Sequence, residues 1–140
     1  MKNDKMQMSY VPQTTEHKLI TTNGPTDFTL PHGAIVEDVV VVKKVLDATA
    51  TTATLNIGTT ANANYYTATA IDVDTTNGVV GVGQTATHPF GIDAAKMMEA
   101  VASDRIVRIT TANLANTAVR IYVWVNYRFE PSLTTPTRVA

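Results

Sequence analysis

The side chains best suited to chemistry are thinly spread along this chain. His17, His32 and His88 are its histidines, no two of them lie four residues apart, and cysteine is absent. Neither a paired-histidine metal site nor a thiolate nucleophile is therefore on offer. There is no Gly-x-Ser-x-Gly elbow, and Gly78-x-x-Gly81-x-Gly83 lacks the lysine and following helix of a phosphate loop, so those glycines read as turns or bulges. Asp72-x-Asp74-x-x-x-Gly78 opens like a calcium loop, but Thr76 and Gly83 stand where a third oxygen ligand and a bidentate glutamate belong. Both aspartates read instead as outward, solvated residues ahead of a Thr-Thr-Asn-Gly turn. The residue inventory points to no catalysis, no cofactor and no metal.

Binding chemistry is more concentrated. Val119 to Phe129 reads VRIYVWVNYRF, with Ile121, Val123, Val125, Tyr127 and Phe129 on one parity. Arg120, Tyr122, Trp124, Asn126 and Arg128 share the other, a period of two that defines a β-strand. One face is expected to be core. The other gathers the chain's single tryptophan with tyrosine and arginine, the side chains that dominate protein interfaces. Arg120, Tyr122, Trp124, Asn126 and Arg128 are accordingly the candidate protein-contact residues.

The elements that must position this strand follow from composition. Threonine, valine and alanine dominate, and only 16% of residues are charged, which favours β-strands packed as sheets over helices. At 140 residues the chain suits one sandwich domain. A formal net charge of -1 offers no basic footprint for nucleic acid. The start, MKNDKMQMSYVPQ, has no apolar signal region, and no uncharged apolar run reaches about 18 residues, so no membrane partner is expected.

Taken in order, residues 1–16 read as an extended arm. HKLITT (17–22) and DFTL (27–30) read as short edge strands broken by Asn23-Gly24-Pro25. AIVEDVVVVKKVL (34–46) is a long strand whose parity is clean on neither side, and a bulge near Glu37-Asp38 or Lys43-Lys44 would switch its buried face. TTATLNI (51–57) is expected to pair with it. YYTATAIDVD (65–74) and Val79 to Val82 read as further strands, and Asp93 to Ala102 as one short helix. Arg105 to Thr111 and Val119 to Phe129 should form a C-terminal hairpin. The domain is thus expected to span 17–130, with 131–140 a second arm.

The stretches GAIVEDVVVVKKVLDATATTATLNIGTT, NYYTATAIDVDTTNG and AVRIYVWVNYRF, set between polar arms in a cysteine-free chain, resemble the cement or head-decoration proteins of tailed bacteriophages. The jelly-roll type of short-tailed Bordetella phages is the nearest likeness. The resemblance implies an all-β, jelly-roll-like antiparallel β-sandwich, often a homodimer, on the outer capsid surface across joints between major capsid protein subunits. It implies assembly in the host cytoplasm, and it brings no active site. One alternative is a carbohydrate- or receptor-binding sandwich of a phage tail or adhesin, with Tyr65, Tyr66, Trp124 and Asp72 as a sugar platform. Another is a pilus or surface-layer subunit, for which a signal peptide would be expected.

Overall fold

The computed structural model describes residues 13–67, 69–82 and 100–129. Its strands are β1 (Gln13–Thr14), β2 (Lys18–Ile20), β3 (Gly24–Thr29), β4 (Ala34–Val45), β5 (Thr54–Gly58), β6 (Ile71–Asp72), β7 (Gly81–Val82), β8 (Ile106–Ala112) and β9 (Arg120–Phe129). Among the described residues there is no helix. The expected helix at 93–102 lies outside them for its first seven positions, and at its end Ala100 forms a β-bridge with Ile35. The segments 1–12 and 131–140 of the expected arms also lie outside them, whereas Gln13 and Thr14 already pair with Tyr127 and Asn126.

The strands form two antiparallel sheets. The first runs β1-β9-β4-β7, with β2 also on β9, and the second runs β3-β8-β5-β6. Chain order explains this arrangement. β5 pairs with β6, β4 with β7, β3 with β8 and β2 with β9, so the chain is one long nested hairpin. Rolling it up adds the contacts of β4 with β9 and of β5 with β8. That nesting is the jelly roll, a double-sheet solution that leaves few open edges.

Two expectations are corrected by this winding. β5 does not pair with β4, and β8 and β9 form no hairpin, because each of these connections crosses from one sheet to the other. Asp47 holds both crossings. Its buried carboxylate accepts N–H bonds from Thr49 and Ala50 at 2.9 and 2.8 Å and from Ala115 and Asn116 at 2.6 and 3.0 Å. Its backbone joins a third connection, donating to the Val73 carbonyl and accepting from Thr75 N–H, each at 2.9 Å. Asn23 supports the same region by exchanging two side-chain bonds with the Leu114 backbone, at 2.7 and 3.1 Å.

Gly24 and Pro25 belong to β3 rather than to a turn. Leu30 N–H donates to Arg105 carbonyl, and Phe28 pairs with Val107, so the even-numbered residues of β3 occupy the hydrogen-bonded positions. Pro25, opposite Thr110, therefore sits where the ladder needs no donor. In the expected strand 65–74 only Ile71–Asp72 is a named strand. Asp74 is buried, not outward, because its Oδ1 accepts Thr76 and Asn77 N–H at 2.9 and 2.8 Å and so closes its own turn. Gly78 is obligatory in that turn: a Cβ there would lie 2.7 Å from the Asp74 carbonyl oxygen and 2.8 Å from that of Asp72.

The core lies between the sheets. Val36, Val39, Val41, Ile121, Val123 and Val125 face Phe28, Leu55, Ile57, Val107 and Ile109, all buried. Each such side chain contributes about 1.5–3 kcal/mol by leaving water. Both candidate bulges in β4 are present, between Val36 and Asp38 and between Lys43 and Val45. Lys43 consequently points inward, 5% exposed, and its ammonium donates to the Asp72 carbonyl at 3.1 Å. Burial lowers its pKa, and the neighbouring Asp72 charge opposes that shift.

Burial pushes the Asp47 carboxyl upward, but the bonds from Ala50, Ala115, Thr49 and Asn116 outweigh it and hold the pKa at about 2. A depressed carboxylate stabilises the fold above its unfolded value of about 4 and loses that contribution as pH falls toward 2. Asp47→Asn, which turns an amide donor toward backbone donors, should lower the thermal midpoint at pH 7. Its deficit against wild type should narrow between pH 4 and pH 2, as melting curves at stepped pH would show.

Candidate functional site

The two outer faces of the sandwich differ in chemistry. On the second sheet, Thr54, Asn56, Thr110 and Thr29 face outward with Asp27 and Arg108. The Arg108 guanidinium binds Asp27 through two bonds of 2.7 and 2.8 Å. The hydrogen bond from Arg108 leads the lowering of the Asp27 pKa, against the opposing effect of burial. This face is mainly Thr/Asn, with Pro25, Ile106 and Ala112 among these residues, and its Asp27 and Arg108 charges pair with each other.

The outer face of the first sheet is apolar at its centre. Registration places Leu19 and Val42 on either side of Tyr122, and Val40 beside Trp124. Tyr122, Trp124, Val40 and Val42 are half-buried, and Leu19 is 46% exposed. The His17 ring meets Tyr122 edge-on at 5.6 Å between centroids. β-Branched and aromatic neighbours across strands stabilise a sheet, but a continuous apolar stripe on an outer face is more than sheet stability requires.

The ends of this face carry polar residues beside Ile35, opposite Arg128 and 6% exposed, and Val45, opposite Arg120 and 43% exposed. Asn126 accepts a 3.1 Å bond from Thr14 Oγ1 and lies opposite Asp38. Arg128 pairs with Glu37 at 3.4 Å. Arg120, at the other end, donates to the carbonyls of Thr117 and Val119 at 2.9 and 2.8 Å and lies opposite Val45. The structure therefore sets Arg120, Tyr122, Trp124, Asn126 and Arg128 in one row, with the two aromatic residues central and the polar residues tied to local partners.

Sequence reasoning missed the residues that widen the row into a patch: Leu19, Val40 and Val42. The signal was present in the charged pairs Glu37-Asp38 and Lys43-Lys44 that bracket VVVV. Each bulge sets two successive residues on one face. Glu37 and Asp38 thus face outward at one end and Lys44 and Val45 at the other, leaving Val40 and Val42 on the outer face between them.

The proposed sugar platform is not assembled. Tyr66 is 1% exposed in the core, Tyr65 stacks edge-on against it at 5.1 Å, Asp72 lies on β6 of the second sheet, and Trp124 is on the outer face of the first. A cavity of about 380 Å³ lined by Tyr65, Tyr66, Asn62 and Ala100 is mostly apolar. Among the described residues no three His, Asp or Glu side chains converge as metal ligands.

No family model and no curated protein matches this chain. A chain of the cyanophage Pam1 capsid asymmetric unit is similar in structure, with a TM-score of 0.49 and 26% sequence identity over 81% of this chain and 85% of that chain.

The two faces of β9 should respond differently to truncation. Ile121→Ala, on the core side, should cost about 2–5 kcal/mol in urea unfolding. Trp124→Ala, one strand face away, should cost about 1 kcal/mol or less and leave the far-ultraviolet dichroism unchanged.

Proposed function

We propose that this chain is a structural cement or decoration protein. It binds the outer surface of a phage head, stabilises joints between major capsid protein subunits, and works as a homodimer on the virion. The observation that carries the reading is the contrast between the outer faces: one sheet is mainly Thr/Asn with its Asp27–Arg108 charges paired, while the other carries an apolar, aromatic stripe suited to another protein. The stretches that resemble phage cement proteins build β4, β5, β6 and β9, the strands that carry this face and the core behind it.

A rigid sandwich with a contact face and extended segments is sufficient for such a role. Ligand that binds only the assembled shell stabilises it by about 2.7 kcal/mol per site at a hundredfold excess over Kd. Repetition over many equivalent joints multiplies a modest contact. The tail segments have a place in this scheme. Gln13 lies opposite Tyr127, and Phe129 follows two residues later opposite Ala34, so residues 1–12 and 130–140 both start from one end of the first sheet. We assign them to the capsid, where backbone pairing with subunit edges asks little of their side chains.

Co-sedimentation with heads of the cognate phage tests the assignment. Wild type should bind saturably in fixed ratio to capsid subunits, and removal of residues 1–12 or 130–140 should weaken binding by about tenfold or more while leaving the melting curve intact. Folded protein that leaves heads bare would overturn the proposal.

A further inference from the structure

The tetrapeptide Thr-Thr-Asn-Gly occurs twice, at 21–24 and at 75–78, so two Asn-Gly steps share one local sequence. Such a step is open to intramolecular attack, because glycine carries no side chain to shield its amide nitrogen. That nitrogen adds to the asparagine Cγ and gives up its proton to water, and ammonia leaves to form a succinimide. Water then opens either carbonyl of the ring, so asparagine plus water becomes aspartate or isoaspartate plus ammonia. With the preceding residues identical, the fold is what sets the two steps apart.

Asn23 exchanges both side-chain bonds with the Leu114 backbone, at 2.7 and 3.1 Å, and Gly24 holds a hydrogen-bonded position of the β3–β8 ladder opposite Thr111. The adjoining Ala115 and Asn116 N–H groups are held by buried Asp47. Freeing this step means parting two strands and a crossing. Asn77 is exposed, and its bonds lie mostly inside its own turn. Its N–H donates to Asp74 Oδ1 at 2.8 Å, and its side-chain amide donates to the same oxygen at 3.3 Å and to the Thr51 carbonyl at 3.0 Å. Gly78 N–H donates to the Asp74 carbonyl at 2.8 Å. Opening of residues 74–78 alone frees both the reacting nitrogen and the carbon it attacks. Such local openings cost less than global unfolding.

We infer that the Asn77-Gly78 step is a site of spontaneous covalent modification, reached by local opening of its turn, and that its products do not rebuild that turn. Aspartate at this position sets an acceptor against Asp74 Oδ1 and the Thr51 carbonyl, where the amide donated. Isoaspartate lengthens the main chain by one carbon beside Gly78. There is no room for it, since even a Cβ on Gly78 would lie 2.7 and 2.8 Å from the Asp74 and Asp72 carbonyl oxygens. Asp74 is bridged to Asp47, whose backbone bonds the Val73 carbonyl and Thr75 N–H, so the damage reaches the residue that holds both sheet crossings. The step is a one-way loss of stability, in which chemistry traps the opened state.

Peptide mapping by mass spectrometry during incubation at mildly alkaline pH tests this, with aspartate and isoaspartate scored at both steps. In urea-unfolded protein Asn23 and Asn77 should convert at similar rates. In folded protein both should slow, and Asn77 should outpace Asn23 about tenfold or more. Asp74→Ala, shown to be folded by its melting curve, should bring Asn77 close to its unfolded rate and leave Asn23 unchanged. Should that variant not fold, the comparison of folded with unfolded wild type decides alone. Asn77→Asp should melt below Asn77→Ala, because the carboxylate adds repulsion to the lost bonds. Folded protein that converts at Asn23 as fast as at Asn77, or at Asn77 as fast as in urea, would overturn the inference. Asn77→Asp protein melting like wild type would overturn the claim that the products do not rebuild the turn.

Discussion

The antiparallel pairing of β4 with β9 is the constraint on which both faces of this protein depend. The two longest strands of the fold lie side by side from Ala34 opposite Phe129 to Val45 opposite Arg120. On the inner side they supply Val36, Val39, Val41, Ile121, Val123 and Val125, about half of the wall that the second sheet closes upon. On the outer side they supply Tyr122, Trp124, Val40 and Val42. A slip of one residue would exchange these sets, exposing the core valines and burying Glu37, Asp38 and Lys44. The two bulges pin the register against such a slip: one sets Glu37 and Asp38 outward together, and the other keeps Lys44 exposed while Lys43 reaches the Asp72 carbonyl inside.

Winding the nested hairpin into two sheets then requires crossings, and crossings expose backbone donors that strands would otherwise satisfy. Asp47 answers that need with a single carboxylate bonded to four N–H groups on two connections, while its own backbone ties in a third. The same economy recurs where Asn23 bonds both backbone groups of Leu114 and where Asp74 closes its turn over Gly78. Small polar side chains at the corners thus let a low-charge, Thr-rich chain turn sharply without burying unpaired backbone.

Much of this was legible in the sequence where periodicity was undisturbed. The alternation of VRIYVWVNYRF carried both the core face and the contact row, and the mixed parity of AIVEDVVVVKKVL announced the bulges. The pairing partners were not legible, since adjacency in sequence favours hairpins, whereas Asp47, Asn113 and Asn116 carry the chain from one sheet to the other. Asn113 adopts a left-handed backbone, φ 64°, at the end of β8, and no local pattern distinguishes such a crossing from a tight turn. Asp74 misled for a related reason: an aspartate before Thr-Thr-Asn-Gly reads as solvated until the turn folds over it. The patch was half legible, because Leu19, Val40 and Val42 join it only through cross-strand register, which depends on the fold as a whole.

The measurement that most directly tests the central claim is an electron cryomicroscopy reconstruction of heads carrying this protein. The account predicts jelly-roll density on the outer capsid surface across subunit joints, with the Trp124 face covered by a protein neighbour and the Thr/Asn face of the second sheet turned to solvent. Sandwiches seated with the Thr/Asn face against the shell and the Trp124 face open, or heads without the protein at all, would contradict it.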